Sequence, residues 1–561
     1  MDKEKLDQAL ETLEKNKDRW ANLPIRKKID FLRRIQQGTL AVAERQVARA
    51  MEAKGIAKGS PQTGEEWLGG PLVTIRNIRL LLNTMEQIAR DGAPSIPSKK
   101  IRTRPDGQVI VEVIPADTFD KLLYQDFVGE VWMQSEVQTS NLQENMGVFY
   151  QEAHPEGKVA LVLGAGNVAS IGPLDAIYKL FVEGQVCILK YNPVNEYLGP
   201  FIEEAFAPLY KEGFMRSAYG GADVGAYLCS HDLVEEIHIT GSDKTHDAIV
   251  YGVGEEGAKR KQNNEPLLDK RITSELGNVS PVIVVPGQWS QKELAYQAQN
   301  VATQMTNNAG FNCNAAKLII THKDWPQREA FFEKLKQTLK EVGPRKAYYP
   351  GAHDRQQSFV DAHDDVDLIG HKSEEVVPWT LVRNLDANNK DEMCFSTESF
   401  CGVTGETTLE ARDAKDFLEK AVDFCNDTVW GTLNACIILH PKTQKEIGST
   451  FEDSIAKLRY GSVVINHWPA LCYGMGATTW GAYPGHTLDD IQSGIGVVHN
   501  AHMFEKPAKS VVYGPFFSFP RPPWFVPYKS TLHKMAPLLS KFEASPGWRK
   551  LPHIFLHALR K

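Results

Sequence analysis

Apolar and polar positions change their period along this chain, and the changes mark out its parts. Residues 1–95 read as helices with polar outer faces. Over 25–47 apolar residues recur at helical spacing, and the turn-rich stretch 92–97 ends the run. From residue 100 the period shortens to two: 108–114 alternates as a strand, and 147–150 is expected to be another. Beyond 158, continuous apolar runs of strand length alternate with helical segments. Residues 159–163 and 186–189 are such runs, with a helical segment over 170–182 between them. A helix near 198–210, a strand at 235–239 and a helix from Lys244 follow. A second series begins with a strand at 280–285 and continues with helices over 291–306 and 325–341. Strand–helix–strand units in series predict an α/β fold built on a doubly wound, mostly parallel sheet.

With 561 residues the chain is too long for one core and divides into two or three units. Its 42% hydrophobic and 24% charged content is that of a globular protein. A net charge of -7 and a pI near 6.2 give no reason to expect nucleic acid as a partner. The charged start carries no apolar signal segment, and no apolar run reaches membrane-spanning length. Eight scattered cysteines without a C-x-x-C pair suit reduced thiols, and a cytoplasmic location is expected.

The last part of the chain changes character. Residues 516–528 are aromatic and proline-rich, so no regular helix fits them. Residues 505–561 hold ten Lys and Arg against two Glu, a formal +8 against the acidic remainder. A tail packed across its own acidic surface or a sister subunit is the favoured expectation. The alternative is peripheral contact with a membrane or lipid substrate, because aromatic and basic residues together suit an interface.

Candidate chemistry begins at Gly164-Ala165-Gly166-Asn167-Val168-Ala169, a G-x-G-x-x-A turn after a strand, with backbone amides offered to a pyrophosphate. The ordinary fingerprint places an acid at the end of the next strand to hold the ribose, whereas this chain has Lys190-Tyr191-Asn192-Pro193. A lysine suits a ribose hydroxyl or a 2′-phosphate. Thr240-Gly241-Ser242 follows a later strand, and Glu275-Leu276-Gly277-Asn278-Val279-Ser280-Pro281 and Asn308-Ala309-Gly310-Phe311-Asn312-Cys313 follow in turn. A thiol and a carboxylate so flanked suggest covalent chemistry at a carbonyl: a thiolate attacks, and a carboxylate activates water against the product thioester. Glu398-Ser399-Phe400-Cys401-Gly402-Val403, Trp430-Gly431-Thr432-Leu433 and Gly461-Ser462-Val463-Val464-Ile465-Asn466 complete the series.

Together these motifs, in this order, resemble the aldehyde dehydrogenase superfamily over about residues 20–500. The matching family patterns are E-L-G-G-K-S-P, N-x-G-Q-x-C, E-x-F-G-P-V, Y-G-L and G-x-V-x-V-N. The resemblance implies a cofactor-binding domain from 1–130 and 156–275, a catalytic α/β domain from 276–488, and small oligomerisation strands at 131–155 and 489–504 that pair subunits into a homodimer or homotetramer, with 505–561 as a C-terminal extension. It implies Cys313 as nucleophile, Glu275 as general base and Asn167 as oxyanion donor. NAD or NADP is the implied cofactor, held by Lys190, Gly241, Ser242, Gly277, Glu398 and Phe400, with no metal. The substrate is an aldehyde. Departures occur at Ala165-Gly166 for P-W, at Asn278 for the second glycine, at Phe311 for Gln and at Cys401-Gly402 for G-P, and they mark a divergent branch. Pro193 stands where NAD-preferring members often carry an acid.

Two other readings compete. An acyl-CoA reductase passes the same thioester to a thiol, although Glu275 favours water. A non-catalytic relative keeps the fold and interacts through its basic tail. Elsewhere, Asp361, His363, Asp364, Asp365 and Asp367 lack EF-hand spacing and read as a solvated acidic loop, as Lys259-Arg260-Lys261 reads as a solvated basic one. Trp468, Tyr473 and Trp480 hint at an apolar pocket.

Overall fold

Two β-sheets organise the computed structural model, which describes residues 2–560. The smaller has the order Met215–Ala218, Val186–Lys190, Val159–Leu163, Glu236–Thr240, Arg271–Glu275, with every pairing parallel. By appearance in the chain that order is third, second, first, fourth, fifth. The connections therefore reverse between the first strand and the fourth, which opens a crevice beyond their carboxyl ends. The apolar runs are unbroken because both faces of the sheet are covered, and every residue of Val159–Leu163 and Val186–Lys190 is buried.

The larger sheet has eleven strands. Its middle is parallel, in the order Pro507–Tyr513, Ser462–Ile465, Asn434–Ile438, Pro281–Val284, Leu318–His322, Val403–Leu409, Trp379–Leu385. Val366–Ile369 closes one edge antiparallel. At the other edge the antiparallel ribbon of Ile101–Thr103, Val109–Ile114 and Val128–Met133 joins through pairing with Pro507–Tyr513. The mixed α/β architecture with a doubly wound parallel sheet is the expected fold class.

Two local expectations change. Residues 147–150 add no strand, because Gly147 stands at φ +60° and Val148–Gln151 coils into a 3-10 turn. The Gly147 N–H donates to the Met503 carbonyl and the Tyr150 hydroxyl to the Phe181 carbonyl, which fixes the turn from both ends. The segment beyond 505, expected as an extension, begins with a strand inside the larger sheet. Lys509 hid that strand from the hydrophobic pattern. Its side chain is buried, and its ammonium, pushed down to about 7 by burial, donates to the carbonyls of Ile455, Ala456 and Leu458.

The tail then packs on its own chain. Phe516, Phe525 and Val526 are buried, with Phe516 edge-on to Trp289 and Phe525 tilted against Tyr296. Helix Leu532–Ala544 lies against Thr63–Trp67 and Val73–Asp91. Its anchor has the opposite polarity to the one expected. Glu543, an acid of the tail, accepts from Arg76 at 2.8 Å and from Arg79 at 2.7 Å, while Asp120 holds Arg76 through both oxygens at 2.9 Å. All four side chains are buried. Removing one partner from such a network leaves an uncompensated charge and costs about 3–5 kcal/mol, more than the assembled network itself contributes.

Candidate active site

One cleft of about 1500 Å³ opens at the carboxyl ends of the smaller sheet's strands. Its far wall comes from the other sheet's loops. Cys313, Glu275, Asn167, Lys190, Gly241, Ser242, Gly277, Glu398 and Phe400 all line it, so the structure brings together the nine candidates for catalysis and cofactor binding.

Asn167 sits in the turn after Val159–Leu163. The next helix begins at Ile171 and Ser170 takes the N-cap position, so the Asn167 side chain is not spent on capping. Its amide donates to the Phe311 carbonyl at 3.0 Å. Its own backbone carbonyl accepts from the Lys54 ammonium (3.1 Å), the Asn308 amide (3.0 Å) and the Tyr348 hydroxyl (3.1 Å). The oxyanion candidate and the cysteine loop are therefore joined by direct hydrogen bonds.

That loop is strained. Asn308, Ala309 and Gly310 take φ values of +52°, +57° and +82° in succession, a left-handed run that a non-glycine residue adopts only under constraint. The constraints are visible. The Asn308 N–H donates to Glu65 at 2.8 Å, and the Asn308 side chain bonds Lys54, Tyr348, Asn167, Phe311 and Asn312. Gly310 is required as well, since a Cβ there would lie 3.0 Å from the Cys401 carbonyl carbon and the Gly402 nitrogen. Downstream, the Cys313 carbonyl accepts from Ser280 Oγ (2.9 Å) and the Asn434 amide (3.2 Å).

Cys313 is the one cysteine of the eight that is not fully buried. Its Sγ donates to Glu275 Oε1 at 3.3 Å. Burial, with the nearby charges of Glu275 and Glu398, holds the thiol well above its ordinary pKa, so the resting group is a protonated thiol. Burial also raises the Glu275 carboxyl above the usual carboxylate value, opposed by Trp480 and the thiol. The second oxygen of Glu275, Oε2, is buried without a hydrogen-bond partner among the described residues. A carboxylate oxygen left open beside a thiol is placed to take a proton from water.

The rest of the cleft has groups that could hold a charged, hydroxyl-bearing ligand. Lys190 ends its strand in register with Leu163, and burial lowers its ammonium. Ser242 caps helix Asp243–Val250 through its Oγ, which accepts from the Thr245 N–H at 3.2 Å, and the first turn of that helix lines the cleft. Gly277 lets Glu398 approach: a Cβ at 277 would lie 2.3 Å from Glu398 Oε2. Burial pushes the Glu398 carboxyl up to about 7 against the pull of the Lys317 ammonium, and its Oε1 is unpartnered. Phe400 stands at φ +40°, held by Arg355, which donates to the carbonyls of Ser399 (3.0 Å) and Phe400 (3.1 Å).

Several residues of the site had no motif to mark them. Lys54, Glu65, Tyr348 and Arg355 come from segments far away in sequence, and no local pattern identifies them. Lys317 offered a weak signal as a cation inside an apolar stretch four residues past Cys313. It is buried and donates to the Gly310 carbonyl at 3.1 Å. Trp468 donates to the Asn314 carbonyl (2.8 Å) and Tyr473 shares a 2.6 Å hydrogen bond with Ser170, so both brace the two loops of the site. His363 differs from the solvated loop expected around it. Its ring bonds the Phe359 carbonyl and Glu392, the acid that caps the short helix leading to Glu398.

Comparison with known proteins follows this geometry. The aldehyde dehydrogenase family model matches residues 125–361. An NAD-dependent aldehyde dehydrogenase from Sinorhizobium meliloti superposes with a TM-score of 0.61 at 15% identity, covering 92% of this chain and 89% of that one. Glyceraldehyde-3-phosphate dehydrogenase GapN from Methanocaldococcus jannaschii, complexed with NADP, gives 0.60 at 16% identity, covering 92% and 95%. Lactaldehyde dehydrogenase from Escherichia coli gives 0.57 at 16%, covering 88% of each. No curated protein matches the chain in sequence.

Proposed function

We propose that this chain belongs to the aldehyde dehydrogenase superfamily and oxidises an aldehyde to a carboxylic acid with NAD or NADP through a thioester on Cys313. The observation that carries the reading is the pairing of Cys313 and Glu275 at 3.3 Å, with Asn167 tied to the same loop and an open carboxylate oxygen beside the sulfur.

The Cys313 thiol gives its proton to solvent, and the thiolate sulfur then bonds the aldehyde carbon. The Asn167 amide and the Cys313 backbone N–H are the donors for the oxyanion; one such donor contributes about 3 kcal/mol. When bound, the nicotinamide supplies the hydride acceptor that turns the adduct into a thioester. Glu275 then takes a proton from water, and the hydroxide so formed attacks the thioester carbon, expelling the Cys313 thiolate.

The residues lining the rest of the cleft fit a dinucleotide. The free amides of the helix capped by Ser242 suit the pyrophosphate, Lys190 a ribose hydroxyl or 2′-phosphate, and the unpartnered Glu398 oxygen the other ribose. The chain has no acid at the end of the Lys190 strand, which is consistent with either NAD or NADP. Gly277→Ala tests the cradle, because its methyl would force Glu398 aside. NAD(P) affinity measured by titration is expected to fall at least about tenfold, the equivalent of one lost charge-assisted hydrogen bond, with secondary structure intact. Unchanged affinity would remove Glu398 from the cofactor site.

The reaction itself is tested by NAD(P)H appearance with short and long aldehydes, with and without coenzyme A. Turnover without coenzyme A is expected. Turnover that requires coenzyme A would assign the acyl group to a thiol acceptor, and none under any condition would favour a non-catalytic role.

A further inference from the structure

The terminal helix Leu551–Leu559 is apolar on two faces, and only one of them is covered. Leu551 and Ile554 are buried against Leu532, Met535 and Phe542 of the preceding helix. At about 100° per residue, Pro552, Phe555, Leu556 and Leu559 fall on a second stripe about 100° wide. That stripe faces outward: Phe555 is 36% exposed, Leu556 47% and Leu559 63%, and Trp548 just before the helix is 61% exposed. Of the large apolar side chains exposed among the described residues, these four fall within residues 548–559. Single exposed apolar residues are ordinary, whereas a contiguous stripe marks a contact surface.

The charge beside the stripe is of one sign. Arg549, Lys550 and Arg560 are exposed, and residues 544–560 contain no Asp or Glu. In projection Arg549 and Arg560 fall on one flank, next to the apolar stripe and away from the face packed on the body, whereas Lys550 turns back to donate to the Lys541 (3.0 Å) and Ser545 (2.6 Å) carbonyls. Arg549 and Arg560 form no ion pair among the described residues. A second copy of the same helix would bring no acidic group to meet them, so symmetric self-pairing leaves the flank uncompensated. An anionic bilayer meets both features, taking the stripe into the acyl boundary and the flank against its headgroups. No helix among the described residues is long and apolar enough to cross a membrane, so the contact lies on the surface.

We propose that Trp548 and the Pro552–Phe555–Leu556–Leu559 stripe dock this protein onto an anionic phospholipid surface, with Arg549 and Arg560 facing the headgroups. The rest of the tail is the base that holds this helix, fixed to the body by Glu543 and the Arg76–Arg79 pair.

The test uses the full chain in cosedimentation with phosphatidylcholine vesicles, with and without phosphatidylserine. Binding is expected to the phosphatidylserine vesicles and to weaken at high salt. Phe555→Ser with Leu559→Ser should lower partitioning at least tenfold. Arg549→Ser with Arg560→Ser should lower it about fivefold per charge removed, on the anionic vesicles alone. Both double variants change exposed side chains that do not line the cleft and should keep the parent's Tm and aldehyde turnover. Full-length protein left in the supernatant would overturn the proposal, and so would vesicle binding indifferent to the stripe. Concentration-dependent self-association that the stripe substitutions abolish, without vesicle binding, would assign the surface to a second copy instead.

Discussion

Cys313→Ala abolishes aldehyde-dependent NAD(P)H formation, with an expected loss of at least about 10³-fold, since binding and the oxyanion donors alone sustain only a small residual rate once a nucleophile is gone. The loss is specific to the sulfur. The loop around it is held by Asn308, Ser280 and Asn434 through groups that the substitution leaves in place. The variant should therefore bind NAD(P) like the parent and unfold at a similar temperature. Steady-state turnover with a cofactor titration checks both halves. Undiminished turnover would assign the chemistry to another group.

Glu275→Gln should act on two measurements in opposite directions. Hydrolytic turnover falls about 10²- to 10⁴-fold, the usual contribution of a positioned general base, because glutamine cannot take the proton from water. Alkylation of Cys313 by iodoacetamide at neutral pH should accelerate. The Glu275 charge is one of the forces holding the thiol protonated, so removing it lowers the thiol pKa and raises the thiolate fraction at a given pH. In the parent, burial and Glu398 act in the same sense, so alkylation without cofactor should climb steadily as pH rises above neutral. An enzyme that passes its acyl group to coenzyme A would lose little turnover from this change.

The parts of the fold legible in the sequence were those whose pattern follows from local physics. Val159–Leu163 and Val186–Lys190 lie between covered faces, so their apolar runs are continuous and announce themselves. The residues around the cleft were legible because each follows a strand or opens a helix: Asn167 after Val159–Leu163, Lys190 at the end of its strand, Ser242 at a helix cap, Glu275 at the end of the fifth strand of its sheet. What the pattern hid was long-range. Lys54 reaches Asn167 across 113 positions and Glu65 reaches Asn308 across 243, and nothing near either residue predicts its partner. The Pro507–Tyr513 strand was masked by its own lysine, whose ammonium is hydrogen-bonded by three backbone carbonyls rather than by solvent. Likewise the positive charge of the tail suggested an acidic docking surface, while the contact that anchors it is one glutamate on two buried arginines.

The same long-range contacts explain why Lys54, Tyr348 and Asn308 matter to the reading. They join the oxyanion candidate and the cysteine into one rigid unit before any substrate arrives, and such preorganisation is what makes a fixed donor effective. Strain stored at 308–310 is balanced by that network.

The most direct measurement is the intact mass of Glu275→Gln protein after incubation with NAD(P) and an aldehyde substrate. A covalent adduct equal in mass to the acyl group, located at Cys313 by peptide mapping and absent when cofactor is withheld, is the predicted result. NAD(P)H formed in a stoichiometric burst with no acyl adduct on Cys313 would contradict the thioester route.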